Sequence, residues 1–156
     1  MGSRRDFFSF KKTPSVINLP YIKGSIDVCT ECRGYCVNAC EESIIFKKEG
    51  EIPYLDFKNK GCIFCKKCAF VCEEKGKAVL NSLMENIIEG KAKIDVSLCL
   101  SYHQVICLSC QDVCKTSIKF SGMFYPEILN TCTACGLCVS ICPQGAISIV
   151  ESQKGK

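Results

Sequence analysis

The chain has 156 residues, a formal charge of +4, one histidine, no tryptophan and 16 cysteines. That length fits one compact domain or two small ones packed together. Setting the cysteines aside lowers the apolar share from 47% to roughly 37%, a thin core of the kind that small folds supplement with disulfides or metals.

Residues 1–28 read as an N-terminal tail. Charges and two prolines, Pro14 and Pro20, stand where a secretory segment would need an apolar stretch, and no run approaches the ~18 apolar residues of a membrane-spanning helix. A soluble, cytoplasmic protein is expected, with thiols that ligate metal in preference to disulfides. Ser3-Arg4-Arg5-Asp6-Phe7-Phe8 resembles the front half of a twin-arginine export signal, but Ser9 to Pro14 supply no inserting segment. Three readings stay open: export, a solvated basic tail, and a tail that docks on a partner through Arg4 and Arg5.

From Cys29 onward one unit repeats four times. The quartets are Cys29, Cys32, Cys36, Cys40; then Cys62, Cys65, Cys68, Cys72; then Cys99, Cys107, Cys110, Cys114; and Cys132, Cys135, Cys138, Cys142. The second and fourth have the spacing C-x2-C-x2-C-x3-C, and Pro143 completes the bacterial ferredoxin run after Cys142. The first has one extra residue between Cys32 and Cys36. The third begins with a seven-residue gap. A loop with a thiolate at every third residue curls around a cubane and addresses three of its irons. The fourth cysteine, on a short helix, ligates the other cluster of a two-cluster module. Structural zinc sites use C-x2-C pairs separated by a longer spacer, so the quartets point to [4Fe–4S] clusters.

Short strands are predicted after the quartets: Ser43 to Phe46 returning through Ile52 to Phe57, Ser117 to Phe120 returning through Phe124 to Leu129, and Ala146 to Val150. The predicted fold class is α+β, two ferredoxin-like modules in tandem with short helices and β-hairpins around the clusters. The spacers between successive quartets are 21, 26 and 17 residues, and the longest, with its polar stretch Glu85 to Lys93, marks the boundary. The expected organisation is a tail (1–28), a first module (29–84), a linker with an incoming strand (85–98) and a second module (99–156).

On that pairing Cys29, Cys32, Cys36 and Cys72 form one ligand set, and Cys62, Cys65, Cys68 and Cys40 a second. Cys132, Cys135, Cys138 and Cys114 form a third. Cys107, Cys110 and Cys142 then need Cys99 to complete a fourth set; otherwise Cys99 is a stray thiol and the clusters number three. A nested pairing, first quartet with fourth and second with third, is the alternative. His103, inside the seven-residue gap, is expected at the surface or in a hydrogen bond, with tuning of a cluster as the functional alternative. Phe64 and Tyr102 are expected to shield clusters from water.

Four all-cysteine clusters would bring about −8 of charge against the +4 of the chain, leaving the loaded protein near −4. The basic balance therefore gives no support to a nucleic-acid partner. No phosphate loop or nucleophile motif is present, and no independent catalysis is expected.

The stretch Cys99-Leu-Ser-Tyr-His-Gln-Val-Ile-Cys107-x2-Cys110-Gln-Asp-x-Cys114 resembles the third cysteine group of the NapF family, ferredoxin-type proteins of periplasmic nitrate reductase systems. Ser121-Gly122-x-Phe124-x-Pro126-x-Ile128-Leu129-Asn130, leading into Cys132-Thr-Ala-Cys135-Gly136-x-Cys138, is similar to that family too, as is Ser3-Arg4-Arg5. The resemblance implies a cytoplasmic iron–sulfur protein. It would bind the catalytic subunit of periplasmic nitrate reductase before export and assist its maturation by delivering electrons or clusters. Two departures, the extra residue before Cys36 and Glu73 in place of a proline after Cys72, leave the ligands intact and bear on the first module's potentials. A generic electron carrier in a quinol-oxidising respiratory chain is the alternative.

Overall fold

The computed structural model describes residues 16–151. Four short helices, α1 (Tyr35–Ala39), α2 (Lys67–Glu74), α3 (Ser109–Val113) and α4 (Leu137–Ile141), follow the four cysteine loops. Each has the third cysteine of its quartet as its second residue: Cys36, Cys68, Cys110 and Cys138. In three of them the residue before the helix is left-handed: Gly34, Lys66 and Gly136 have φ of 74°, 63° and 76°. This turn swings the chain from loop to helix, and glycine adopts it without the steric cost that a side chain adds. Lys66 adopts it while its Nζ donates to the Ser82 carbonyl at 2.7 Å.

Helix α2 runs on past Cys72, whereas the other three stop at the residue before the fourth cysteine. Pro143 cannot continue a helix and disfavours helical backbone at Cys142, but α1 and α3 stop at the same point with Glu41 and Lys115 after their fourth cysteines. In α2 the Glu73 carboxylate accepts from the Ser82 amide at 2.8 Å, which ties the extra turn to the chain beyond it.

Three two-stranded antiparallel sheets accompany the helices among the described residues. β1 (Ile45–Phe46) pairs with β2 (Tyr54–Leu55), and β4 (Ile118–Ser121) with β5 (Phe124–Ile128), as the two hairpins after the first and third quartets. β3 (Lys91–Ile94) pairs with β6 (Ile147–Val150) along its full length, from Lys91 opposite Val150 to Ile94 opposite Ile147. α1 packs on α2, and α3 on α4.

Two expected boundaries need correction. The described part of the 1–28 segment is not a tail: Ile17, Leu19 and Tyr21 are buried in the core, and Ile17 and Ile22 form β-bridges to Leu55 and Leu80. The chain turns at Pro20 and Tyr21, where Tyr21 is left-handed at φ 69°, so the three apolar side chains reach the core from an irregular segment. In 85–98 the incoming strand is present as β3, but the stretch before it is not a plain linker. Ile88 is 1% exposed, its amide donates to the Thr133 carbonyl at 3.1 Å, and β3 closes the last sheet. One continuous apolar cluster runs from Ile17 and Ile45 through Ile88 to Ile118 and Ile147. The two halves of the chain share a core.

Candidate metal centres

All sixteen cysteines are free thiols. Cys29, Cys32, Cys36 and Cys72 line one cavity, together with Leu19, Ile22 and Leu80. Cys40, Cys62, Cys65 and Cys68 line a second, with Tyr21 and Phe64. Cys99, Cys107, Cys110 and Cys142 line another, closed by Leu100, Ser101 and Pro126. For the remaining four, the charges of Cys135, Cys132 and Cys114 act on Cys138. The fourth cysteine of each quartet thus lies with the first three of its neighbour, first with second and third with fourth. Cys99 lies with Cys107, Cys110 and Cys142.

The helices explain this exchange. The third cysteine and the fourth, four residues on, lie on the same helix face about one turn apart along the axis, so where two such helices pack side by side their thiols arrive at different levels and enter different cavities. α1 against α2 and α3 against α4 supply that packing.

Buried side by side, the thiols resist ionising together. Burial, reinforced by Cys29, Cys32 and Cys72, pushes the Cys36 thiol up to about 11. Burial and Cys62, Cys36 and Cys65 push Cys68 up to about 12. Cys138 rises to about 12 through burial and its cysteine neighbours, and Cys110 to about 11. Cys62 rises to about 11 through burial, which the Phe64 amide opposes. Cys29 is raised too, through burial and then Cys72 and Cys32, with Lys47 opposing. Four thiolates in one apolar cavity repel one another and lose hydration, so a multivalent cationic centre is what makes them compatible. An all-sulfur donor set is the soft ligand field that iron–sulfur clusters take. Backbone amides already aim at three sulfurs: Phe64 at Cys62 (3.4 Å), Leu80 at Cys72 (3.4 Å) and Ala146 at Cys142 (3.3 Å). The residues fit the group.

The seven-residue gap is a folded loop. Residues Leu100–His103 form a 3-10 turn that begins directly after Cys99. The Cys99 amide donates to Asp95 O (3.0 Å), the Tyr102 amide to Cys99 O (3.0 Å), and the buried Ser101 hydroxyl to Cys107 O (2.8 Å). Ser101 holds both ends of the gap together, and reading spacing alone does not identify it. His103 is exposed, and its Nε2 donates to the Ser97 carbonyl at 3.0 Å. Tyr102 does not line the cavity: its ring meets Tyr125 edge-on at 5.4 Å, and its hydroxyl is 3.4 Å from the Pro126 carbonyl. Leu100 and Ser101 take the shielding place expected of it. Phe64 does line its cavity, packed edge-on against Tyr21. Tyr21 is the other residue that sequence reading passes over, because it falls in the assumed tail. Its hydroxyl donates to Asn86 Oδ1 at 3.1 Å, and burial with Cys62, Cys68 and Cys65 nearby holds its proton tightly. Arg4 and Arg5 lie outside the described residues. No helix among the described residues is long and apolar enough to cross a membrane.

Residues 126–148 match the family described as the 4Fe-4S binding domain. No solved structure matches the chain. Over 126 residues the chain is 35% identical to the ferredoxin-type protein NapF of Escherichia coli, covering 77% of this chain and 74% of that one. The NapF of Haemophilus influenzae is 33% identical over 135 residues, 82% of this chain and 73% of that one. A subunit alpha 1 of an acetyl-CoA decarbonylase/synthase complex from Methanosarcina barkeri shares 35% identity over 75 residues, 44% of this chain and 8% of its own length. With cysteine sets suited to iron–sulfur clusters and relatives aligned over most of both lengths, the chain belongs to the NapF family of ferredoxin-type iron–sulfur proteins.

Proposed function

We propose that the chain holds four [4Fe–4S] clusters in two tandem ferredoxin-like modules. It would serve as a cytoplasmic accessory to the catalytic subunit of a periplasmic nitrate reductase, delivering electrons or clusters to that subunit before export. The observation that carries the cluster number is the sorting of sixteen free thiols into four sets of four, with Cys99 in the last set. When bound, each cluster supplies one-electron chemistry at a potential set by its surroundings. The chain's own residues bind, orient and shield. Tyr21, Phe64 and Leu100 limit access of water, and the Phe64, Leu80 and Ala146 amides donate to ligand sulfurs, which favours the reduced state. The chain acts as a carrier and catalyses no reaction of its own; its partners are redox proteins, with no nucleic acid and no membrane span.

The nitrate reductase assignment rests on the NapF family membership. Anaerobically purified protein should contain about 16 iron and about 16 sulfide per chain; near-zero iron with stoichiometric zinc would refute the cluster reading. The loaded protein should also capture the nitrate reductase catalytic subunit in a pull-down. Arg4→Ala/Arg5→Ala should weaken that capture, and indifference to the pair would remove the tail from the docking surface.

A further inference from the structure

The second and third cysteine sets meet where the two halves of the chain touch. The Cys62 amide donates to the Cys135 carbonyl at 2.6 Å. One residue belongs to each set, so a single hydrogen bond joins two ligand residues across the boundary. Two glycines make the approach possible. A Cβ on Gly61 would stand 2.5 Å from the Leu137 amide nitrogen and 2.7 Å from its Cα, where backbone cannot yield. A Cβ on Gly136 would overlap the Phe57 ring. The loops are thus seated face to face at backbone distance, and the Ile88 amide, bonded to Thr133 O at 3.1 Å, straps the same loop from the connecting segment.

We propose that Gly61 and Gly136 are positioning residues for this junction, which makes the four cysteine sets one continuous electron path instead of two independent pairs. This rests on the four-cluster reading above. The order along the path is the first set (Cys29, Cys32, Cys36, Cys72), the second through the packed pair α1 and α2, the third through the Cys62–Cys135 bond, and the fourth through α3 and α4. The bond supplies a continuous route from one Sγ through Cβ, Cα and N–H to the facing carbonyl, Cα, Cβ and Sγ. A transfer across it moves one electron: the donor side is oxidised by one, the acceptor side reduced by one, and no proton or covalent bond changes. The first and fourth sets then become the terminals, at opposite ends of the path. That division lets one partner give electrons at one end while another takes them at the other.

Pulsed dipolar electron paramagnetic resonance on the fully reduced, full-length holoprotein tests this. Wild-type protein should show three short spin separations, one within each half and one between them. Gly61→Ala, at full iron content, should lengthen one of the three and leave the other two unchanged. Only two short separations in the wild type, or three unchanged ones in Gly61→Ala, would overturn the proposal. If the variant does not load fully, hydrogen exchange in the wild-type protein decides: the Cys62 amide should exchange slowly, and fast exchange there would equally overturn it. Iron content separates the two levels, because iron well short of four clusters defeats the four-cluster reading, whereas full iron without the third separation defeats only the junction.

Discussion

Replacing Cys99 with alanine should remove one cluster's worth of iron and leave the rest in place. Its thiol shares a cavity with Cys107, Cys110 and Cys142 and with no other cysteine. The loop that carries it is held by bonds of its own, Cys99 N–H to Asp95 O, Tyr102 N–H to Cys99 O, and Ser101 Oγ to Cys107 O. The substitution therefore deletes a ligand without freeing the loop, and the other three sets keep all their thiols. Iron should fall from about 16 to about 12 per chain, with sulfide falling in step, a loss of about one quarter. Colorimetric iron and sulfide analysis of anaerobically purified protein reads this directly. A loss of about one iron, with a new signal in the oxidised protein's electron paramagnetic resonance spectrum, would mark a three-iron remnant and would equally make Cys99 a ligand. Unchanged iron would make Cys99 a stray thiol. Loss of all iron would show that the loop depends on its cluster to fold, contrary to the hydrogen bonding just described.

The connecting segment offers a paired test of the shared core. Ile88→Ala, at a site 1% exposed, should destabilise the protein by about 2–5 kcal/mol, whereas Ile87→Ala, 51% exposed, should stay within about 0.5 kcal/mol. Anaerobic urea titration followed by circular dichroism distinguishes them, and equal effects would return the segment to the status of a plain linker. A pH dependence follows from the buried thiols. Burial raises Cys36, Cys62 and Cys110 from 9.0 to about 11. A raised thiol value favours the protonated, metal-free form throughout the range below it, so protons compete with iron for sulfur and release is promoted as pH falls. A chelator should strip iron faster at about pH 6 than at about pH 8; a rate indifferent to pH would contradict this competition.

The cysteine spacing made the chemistry legible because a cubane constrains ligands through short loops, and short loops are local in sequence. The hairpins after the first and third quartets were legible for the same reason. What sequence hid was non-local. Residues Ile17, Leu19 and Tyr21 are buried, but their segment makes only isolated bridges, at Ile17 and Ile22, so no partner strand marks it out. Lys91–Ile94, in the stretch expected to hold an incoming strand, reads as polar, Lys-Ala-Lys-Ile, because Ala92 alone is buried, and its partner β6, paired along its edge, lies far along the chain. Gly61 and Gly136 look like ordinary loop glycines until the facing Leu137 and Phe57 are seen. The pairing of quartets was the intermediate case. Spacer lengths favoured adjacent pairing, but the choice over a nested one depends on which helices pack, and packing is a property of the folded chain.

The shared core bears on how such a protein divides its work. Cys68, Cys110 and Cys138 are buried members of the same cluster that holds Ile88 and Ile147. With an apolar complement this small, the thiols must serve as packing as well as ligands, and buried thiols stay neutral until a cationic centre arrives. Cluster loading then completes the interior and supplies the charge that the interior could not otherwise hold, so each cluster should add to the stability of the cavity that holds it. Such coupling restricts where the sequence can grow. An insertion inside a ligand loop is tolerable only if it closes on itself without borrowing bonds from the cluster. Leu100 to Ile106 meet that condition: the Val105 amide returns to Leu100 O at 3.1 Å, Gln104 takes the left-handed turn at φ 62°, and Ser101 ties the gap shut. In the first quartet's longer gap, Cys32 to Cys36, Gly34 takes the left-handed turn into α1 and its carbonyl accepts from the Val37 amide at 2.9 Å. What the fold fixes is the place where each thiol arrives, and the number of residues between thiols varies wherever the intervening backbone satisfies its own hydrogen bonds.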